Sequence, residues 1–388
     1  MKELVDFCQR VASTNDMTQP ILGTTATRFF RQTLIPMVQK AHAAWSHANV
    51  VGLQPPTATF FQGQYFSSYV PHVFRNEVIT APRLQQHGVQ MTLHGHVYRI
   101  YIVSLKRRSE LFFREMVHKI YLWLSVCSVF ASRECSQEMH VYLYLLPDLK
   151  RLPKQQSDRL SVENINTAFT RACDVRTEIN IFREEEWFKV LIHETFHNHG
   201  FDFSEKFDHD MVQDQLHRCF PALQSSVLLF ESYCELWAAY LHTMMVSFLS
   251  DGDRKQDVVW ERFVSMWRIE RIFSRFQCVK VLERHGLTYD QLLRPPNGIT
   301  FEEEGTNAFA YYVVKYVLVH NGGAFLDWHL RMHGPTLKFP DASVGKMCQW
   351  IYKASRQPNL VRSIRQMERV GDDVPTNVMK TLRMVAYG

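Results

Sequence analysis

Across 388 residues there is no C-x-x-C pair, no internal repeat and no low-complexity tract. The eight cysteines (Cys8, Cys127, Cys135, Cys173, Cys219, Cys234, Cys278 and Cys348) are scattered, several of them in apolar helical stretches. Without pairing they exclude a cysteine-type zinc site. They read as buried free thiols rather than a disulfide framework, which implies a reducing compartment. Long apolar runs are missing too: the longest, 120–132, is too short to span a bilayer. The first ten residues are charged throughout and make no signal peptide. These absences place the chain in a cytoplasm and exclude a membrane partner. Charge is nearly balanced, with 44 basic against 39 acidic residues and a net +5. There is no basic stripe, zinc-finger pattern or nucleic-acid module, so a nucleic-acid partner is not expected. What is plentiful is apolar material, 46% hydrophobic and 13% aromatic, enough for large cores in two or three lobes.

One stretch carries chemistry. Residues 184–200 read Glu-Glu-Glu-Trp-Phe-Lys-Val-Leu-Ile-His-Glu-Thr-Phe-His-Asn-His-Gly, an H-E-x-x-H pattern in an apolar segment of helical spacing. Residues i and i+4 share a helix face, so His193 and His197 can hold one metal ion from adjacent turns. Glu194 lies about 100° further round, within reach of a water at that metal. Glu184, Glu185 and Glu186 fall where a first helical turn favours negative charge. Gly200 suits a left-handed cap.

Upstream, 28–48 has helical spacing with a kink or break at Pro36, and 51–85 is a proline- and aromatic-rich connection containing Pro55 and Pro56. Val89–Leu105 alternates like a strand, with a turn at Gly95 that leaves His94 and His96 solvated. A long helix follows over 109–132, capped by Ser109, then a buried strand over 138–146. Residues 162–173 look turn-like, and 177–183 alternates like a strand leading into the motif helix. Helices are expected over 221–250, 256–285 and 308–320, with a turn at 294–298.

Catalytic zinc normally takes three protein ligands and one water. Six residues beyond His197 stands Phe203, which cannot ligate, and Asp202, Asp208, His209 and His199 lack the expected spacing. The next long helix offers Glu231 and Glu235, one turn apart on a largely apolar segment. A carboxylate on such a face needs a partner.

A strand, long helix, strand, strand and H-E-x-x-H helix in that order resembles the zincin metallopeptidases. The run Glu235-Leu-Trp-Ala-Ala is similar to the E-x-x-A signature of the gluzincins. The resemblance covers about 90–245. The motif segment is also similar to metallopeptidase-like proteins of large DNA viruses, which would mean a host-cytoplasmic or virion setting.

By this resemblance Glu235 is the third zinc ligand and Glu231 a carboxylate that orients a ligating histidine. Glu194 is the general base, and one of Tyr233, Tyr311 or Tyr312 is the donor to the tetrahedral intermediate. The substrate would be a protein or peptide whose backbone pairs with an antiparallel edge strand at 177–183. The implied fold is α+β and zincin-like. A small twisted mixed sheet, a backing helix and the active-site helix lie within 86–250. A helical and irregular region at 1–85 precedes them, and a helical lobe at 251–388 closes the cleft. Two alternatives stand beside a zinc peptidase. One is a zincin-fold structural or assembly protein without peptidase activity. The other, resting on the mild positive charge alone, is a nucleic-acid-binding protein.

Overall fold

The computed structural model describes residues 1–55, 60–155, 158–205, 207–296, 298–301, 305–371 and 373–388. Pro56 and Asn297, named above in a connection and a turn, lie outside the described residues. The fold is α+β, with one mixed sheet of six strands and a mostly helical C-terminal region.

The sheet has the order β1-β2-β3-β4-β6-β5, from β1 (Val51–Leu53), β2 (Gln85–Leu93), β3 (His96–Ser104), β4 (Glu138–Leu145), β5 (Ala168–Thr170) and β6 (Arg176–Ile181). The alternation across 89–105 therefore belongs to two strands. They meet at a two-residue turn whose residues His94 (φ +48°) and Gly95 (φ +88°) both take the left-handed conformation that suits a tight hairpin. His94 is exposed there, as expected, with Nδ1 2.9 Å from the Ser128 hydroxyl. His96 is instead buried, its Nδ1 2.8 Å from the Ser136 carbonyl, because the strand's alternation turns it inward.

Between β3 and its parallel neighbour β4 runs the backing helix, Glu110–Phe130. Ser109 caps it by accepting from the Phe112 N–H at 3.2 Å. Its inner face buries Ile120, Leu122, Trp123 and Leu124. Trp123 Nε1 donates to Thr195 Oγ1 at 2.9 Å and fixes the backing helix against the motif helix.

Segment 177–183 does not form the expected edge. β6 pairs in parallel with β4 on one side and antiparallel with β5 on the other, so β5 is the edge strand. With three residues, β5 is too short for periodicity to reveal, and 162–173 reads as a turn without it.

Residues 28–44 are helical throughout, without a break at Pro36, and a π-turn at Phe30–Leu34 lies just before it, next to where a kink or break is expected. Pro36 lacks an N–H and its ring crowds the carbonyl four residues back, and a wider turn absorbs both defects. The helix expected from 221 begins at Leu229 and runs to Leu249. Gln256–Arg284 follows, ended by Gly286 at φ +67°.

The main hydrophobic cluster runs from Leu4 through the backing and motif helices to Ala386, and a second joins Phe61, Phe66 and Phe74 to Tyr144 and Phe182. Six cysteines are free and buried, but Cys135 and Cys173 form a disulfide with Cα atoms 4.8 Å apart. Thirty-eight residues separate them, so no short spacing announces the pair, and a reducing compartment loses its support. Among the described residues no helix is long and apolar enough to cross a membrane.

Candidate metal centre

The motif helix spans Trp187–Asn198. The three acids before it are not a first helical turn, because tertiary partners claim each one. Glu184 holds Arg108 at 2.6 Å, and Glu185 accepts from the Lys150 N–H at 2.6 Å. Glu186 is the N-cap residue at φ +60°. Its buried carboxylate lies 2.9 Å from Lys150 Nζ and accepts from the N–H groups of Met384 and Val385 at 2.8 and 2.9 Å. At the other end Gly200 takes φ +64°, and the Phe201 N–H donates back to the Phe196 carbonyl at 2.9 Å. The Phe196 and Phe201 rings pack 5.2 Å apart, completing a left-handed cap with its hydrophobic contact.

This geometry puts His193 and His197 on one face, with their Nε2 atoms 3.2 Å apart. The carboxylate that joins them is Glu231, not Glu235: Glu231 Oε2 lies 3.0 Å from His193 Nε2 and 3.6 Å from His197 Nε2. Glu235, one turn deeper, is occupied elsewhere. It pairs with Lys189, lies 3.2 Å from Lys315 Nζ, and stands 2.9 Å from His193 Nδ1. Glu231, rather than Glu235, thus stands beside both Nε2 atoms, the reverse of the placing that the E-x-x-A likeness implies. Glu231 sits nearer the helix start and keeps 12% side-chain exposure, while Glu235 at 2% meets two buried lysines.

His197 is held in the same way from the other side, its Nδ1 2.5 Å from Asp202 Oδ2. Cys234 Sγ completes that corner at 3.5 Å from the Asp202 carboxylate. Two buried groups of donor atoms could therefore hold a metal ion: His193, His197 and Glu231, or His197, Asp202 and Cys234. The first offers both Nε2 atoms to a common point. The second uses Nδ1 of His197 and a thiol that burial keeps protonated, well above its usual range.

Charge in the cluster is tightly shared. Burial pushes the Glu231 carboxyl up, but hydrogen bonds from His193 and His197 outweigh it and hold the group at about 2. Burial also raises Glu194, and there the attraction of the two imidazoles does not reverse it. Burial lowers His193, yet hydrogen bonds to Glu231 and Glu235 carry it above its usual value.

Glu194 and Tyr311 line a small polar cavity of about 30 Å³, together with His193, Ala168, Lys189 and Met384. That volume holds about one water. The Tyr311 ring lies 6.3 Å from that of His193. Tyr233 and Tyr312 are elsewhere, with hydroxyls committed to the carbonyls of Leu337 at 2.6 Å and Leu382 at 2.5 Å. The β5 edge borders the same cavity. The Phe182 N–H bonds the Thr167 carbonyl at 2.8 Å, so the alternation of an antiparallel ladder turns the backbone groups of Ala168 away from β6.

Segment 382–387 closes the deep side. Met384 offers its carbonyl to Lys315 Nζ at 2.7 Å and its sulfur to Lys189 at 3.5 Å, and the N–H groups of Ala386 and Tyr387 donate to Glu270. Sequence reasoning set Asp202 aside for its spacing as a ligand and did not weigh Lys189, Lys315, Cys234 or Ala168. Lys189 carried a signal, standing one turn before His193 on the same helix face. Asp202 carried another, because a left-handed Gly200 turns the chain back toward His197. Compared with known proteins, the chain matches no protein-family model, no curated protein and no solved structure.

Proposed function

We propose that the chain is a zinc-dependent peptidase of zincin type, hydrolysing a protein or peptide substrate. Its metal would be held by His193, His197 and Glu231. The observation that carries this reading is the direction of the imidazoles. Each ring has its Nδ1 beside a carboxylate, Glu235 or Asp202, which orients the ring and would favour N–H there once a cation took the place of the proton that Nε2 shares with Glu231. The two Nε2 atoms and the Glu231 carboxylate converge within 3.0–3.6 Å, a donor set that fits a shared cation. Zinc bound there would lower the pKa of a coordinated water to near 7.

The rest of the chemistry falls to the chain. Glu194, beside the histidines and with its carboxyl raised by burial, takes the proton of the attacking water and hands it to the leaving amine. Tyr311 faces the same cavity and donates to the developing oxyanion. The free edge of β5 at Ala168, in place of 177–183, receives the substrate backbone by strand addition.

A second reading, a zinc-holding structural or assembly protein, is favoured by the narrowness of the cavity. At about 30 Å³ it admits a water but no peptide until the surrounding segments part. Metal analysis joined to a mixed-peptide digest separates the two. One zinc per chain with cleavage abolished in Glu194→Gln supports the peptidase. One zinc per chain without cleavage leaves the structural reading. No bound zinc removes both.

A further inference from the structure

A groove of about 540 Å³ lies away from the metal centre, between the Tyr289–Leu293 and Pro358–Glu368 helices. Its walls carry Arg294, Arg356, Arg362, Arg365, Arg369 and a single acid, Asp290. Five positive charges against one negative leave +4 in this groove, out of +5 for the whole chain. A near-neutral protein has thus gathered almost all its excess charge in one concavity. The floor, Leu293, Val361 and Pro358, is apolar and lowers the local dielectric around those charges.

The five arginines are not equivalent. Arg365 is committed to Asp290 through two bonds of 2.6 and 2.8 Å. Arg356 stacks 4.0 Å over Tyr352 and donates to the Tyr352 and Arg218 carbonyls. Both are held as fixed walls. The side chains of Arg294, Arg362 and Arg369 are exposed and have no acceptor among the described residues. Three exposed guanidiniums without an acceptor among the described residues, gathered round one hollow, suit an anion with several acceptor groups. Planar forks suit phosphate oxygens, which they bind in pairs. The volume is that of a small-molecule site rather than a channel for an extended polymer.

We infer that this groove binds a compact polyphosphorylated anion, with Arg294, Arg362 and Arg369 as its contacts and Arg356 and Arg365 as its frame. The inference does not depend on the peptidase reading.

The test is calorimetric titration of the full chain with inorganic tripolyphosphate at 150 mM salt. Binding with Kd on the order of 10 µM is expected, against much weaker binding of orthophosphate. Arg362→Gln alone should weaken it about tenfold, and Arg294→Gln, Arg362→Gln and Arg369→Gln together at least about 100-fold. An unchanged melting temperature and zinc content would show that the fold is intact, and the single variant serves if the triple one fails to fold. Absence of tripolyphosphate binding, or binding that survives in Arg362→Gln at full strength, overturns the inference. So does tighter binding of a single-stranded oligonucleotide or a polyglutamate peptide than of tripolyphosphate, which would make the groove a polymer track.

Discussion

Replacing Glu231 and Glu235 one at a time by alanine separates a ligand from a positioning carboxylate. Glu231→Ala removes the one carboxylate among the described residues that reaches both Nε2 atoms. Zinc affinity should fall by more than about 100-fold, beyond the 10- to 100-fold cost usual for outer partners. In chelator its fold should suffer less than that of Glu235→Ala. Glu231 keeps 12% exposure and loses charge-assisted hydrogen bonds to His193 and His197, a cost of about 1.5–3 kcal/mol. Glu235→Ala is the reverse case. It strips the counter-charge from Lys189 and Lys315, whose side chains are 1% and 3% exposed, and the acceptor from His193 Nδ1. Breaking a buried pair this way costs about 3–5 kcal/mol. For 388 residues the unfolding entropy is about 0.8 kcal/mol per kelvin, so the melting temperature should drop by about 4–6 °C. The Glu231 variant should lose about 2–4 °C. At saturating zinc the Glu235 variant should still bind one equivalent. Metal titration with a chromogenic chelator and scanning calorimetry give both numbers. Full zinc occupancy in Glu231→Ala, with loss in Glu235→Ala, would refute the assignment.

Glu194→Gln should leave zinc and fold intact and lower peptide hydrolysis by about 10²- to 10⁴-fold, read in steady-state assays on a peptide the unaltered protein cleaves. Asp202→Asn, which weakens the hold on His197 Nδ1, should reduce zinc affinity by about 10- to 100-fold in the same chelator titration. Denatured without reductant, the chain should show six titratable thiols, and eight after reduction. Opening a loop of 38 residues should cost about 4 kcal/mol, or about 5 °C. Two glutamates set opposing pH slopes in urea-unfolding midpoints. Burial raises Glu186, but Lys150 and Arg383 outweigh it and hold it at about 2. The stability it lends is complete above about 4.5 and fades as pH falls toward 2, a slope that Glu186→Gln should flatten. Burial lifts Glu270 to about 7, so its contribution is greatest below 4.5 and is lost as pH rises through 7, which Glu270→Gln should abolish.

Elements whose signal is periodic were legible in the residues. The backing helix, β4, the motif helix and the long helices after it bury long, mainly apolar runs that sequence displays directly. The features that escaped are set by partners remote in sequence. Glu184–Glu186 look like a helix start until Arg108 and Lys150 claim them. Glu231 and Glu235 are alike as residues, and only the placement of Lys189 and Lys315 tells which is free to face the histidines. β5 has too few residues to alternate, and the Cys135–Cys173 pair depends on how closely the Gly200 turn approaches it. A Cβ at Gly200 would stand 3.0 Å from Cys135 Sγ.

The threading of residues 382–387 behind the motif helix has a kinetic consequence. Glu186 reaches partners 198 and 199 positions away, and Glu270 reaches partners 116 and 117 positions away. Contacts of that span close late, after shorter loops have formed. During synthesis the histidines leave the ribosome nearly two hundred residues before Met384 arrives to cover Lys189. Until then three lysines and three glutamates meant for a dry interior stand in water, where their mutual attraction is weak. A nascent chain therefore carries the H-E-x-x-H motif, from the time His197 is made until Met384 follows, without the packed charge network that holds His193 in place. Competence at the metal centre would be conferred at the end of folding, by a strand of chain that touches neither the metal ligands nor a substrate.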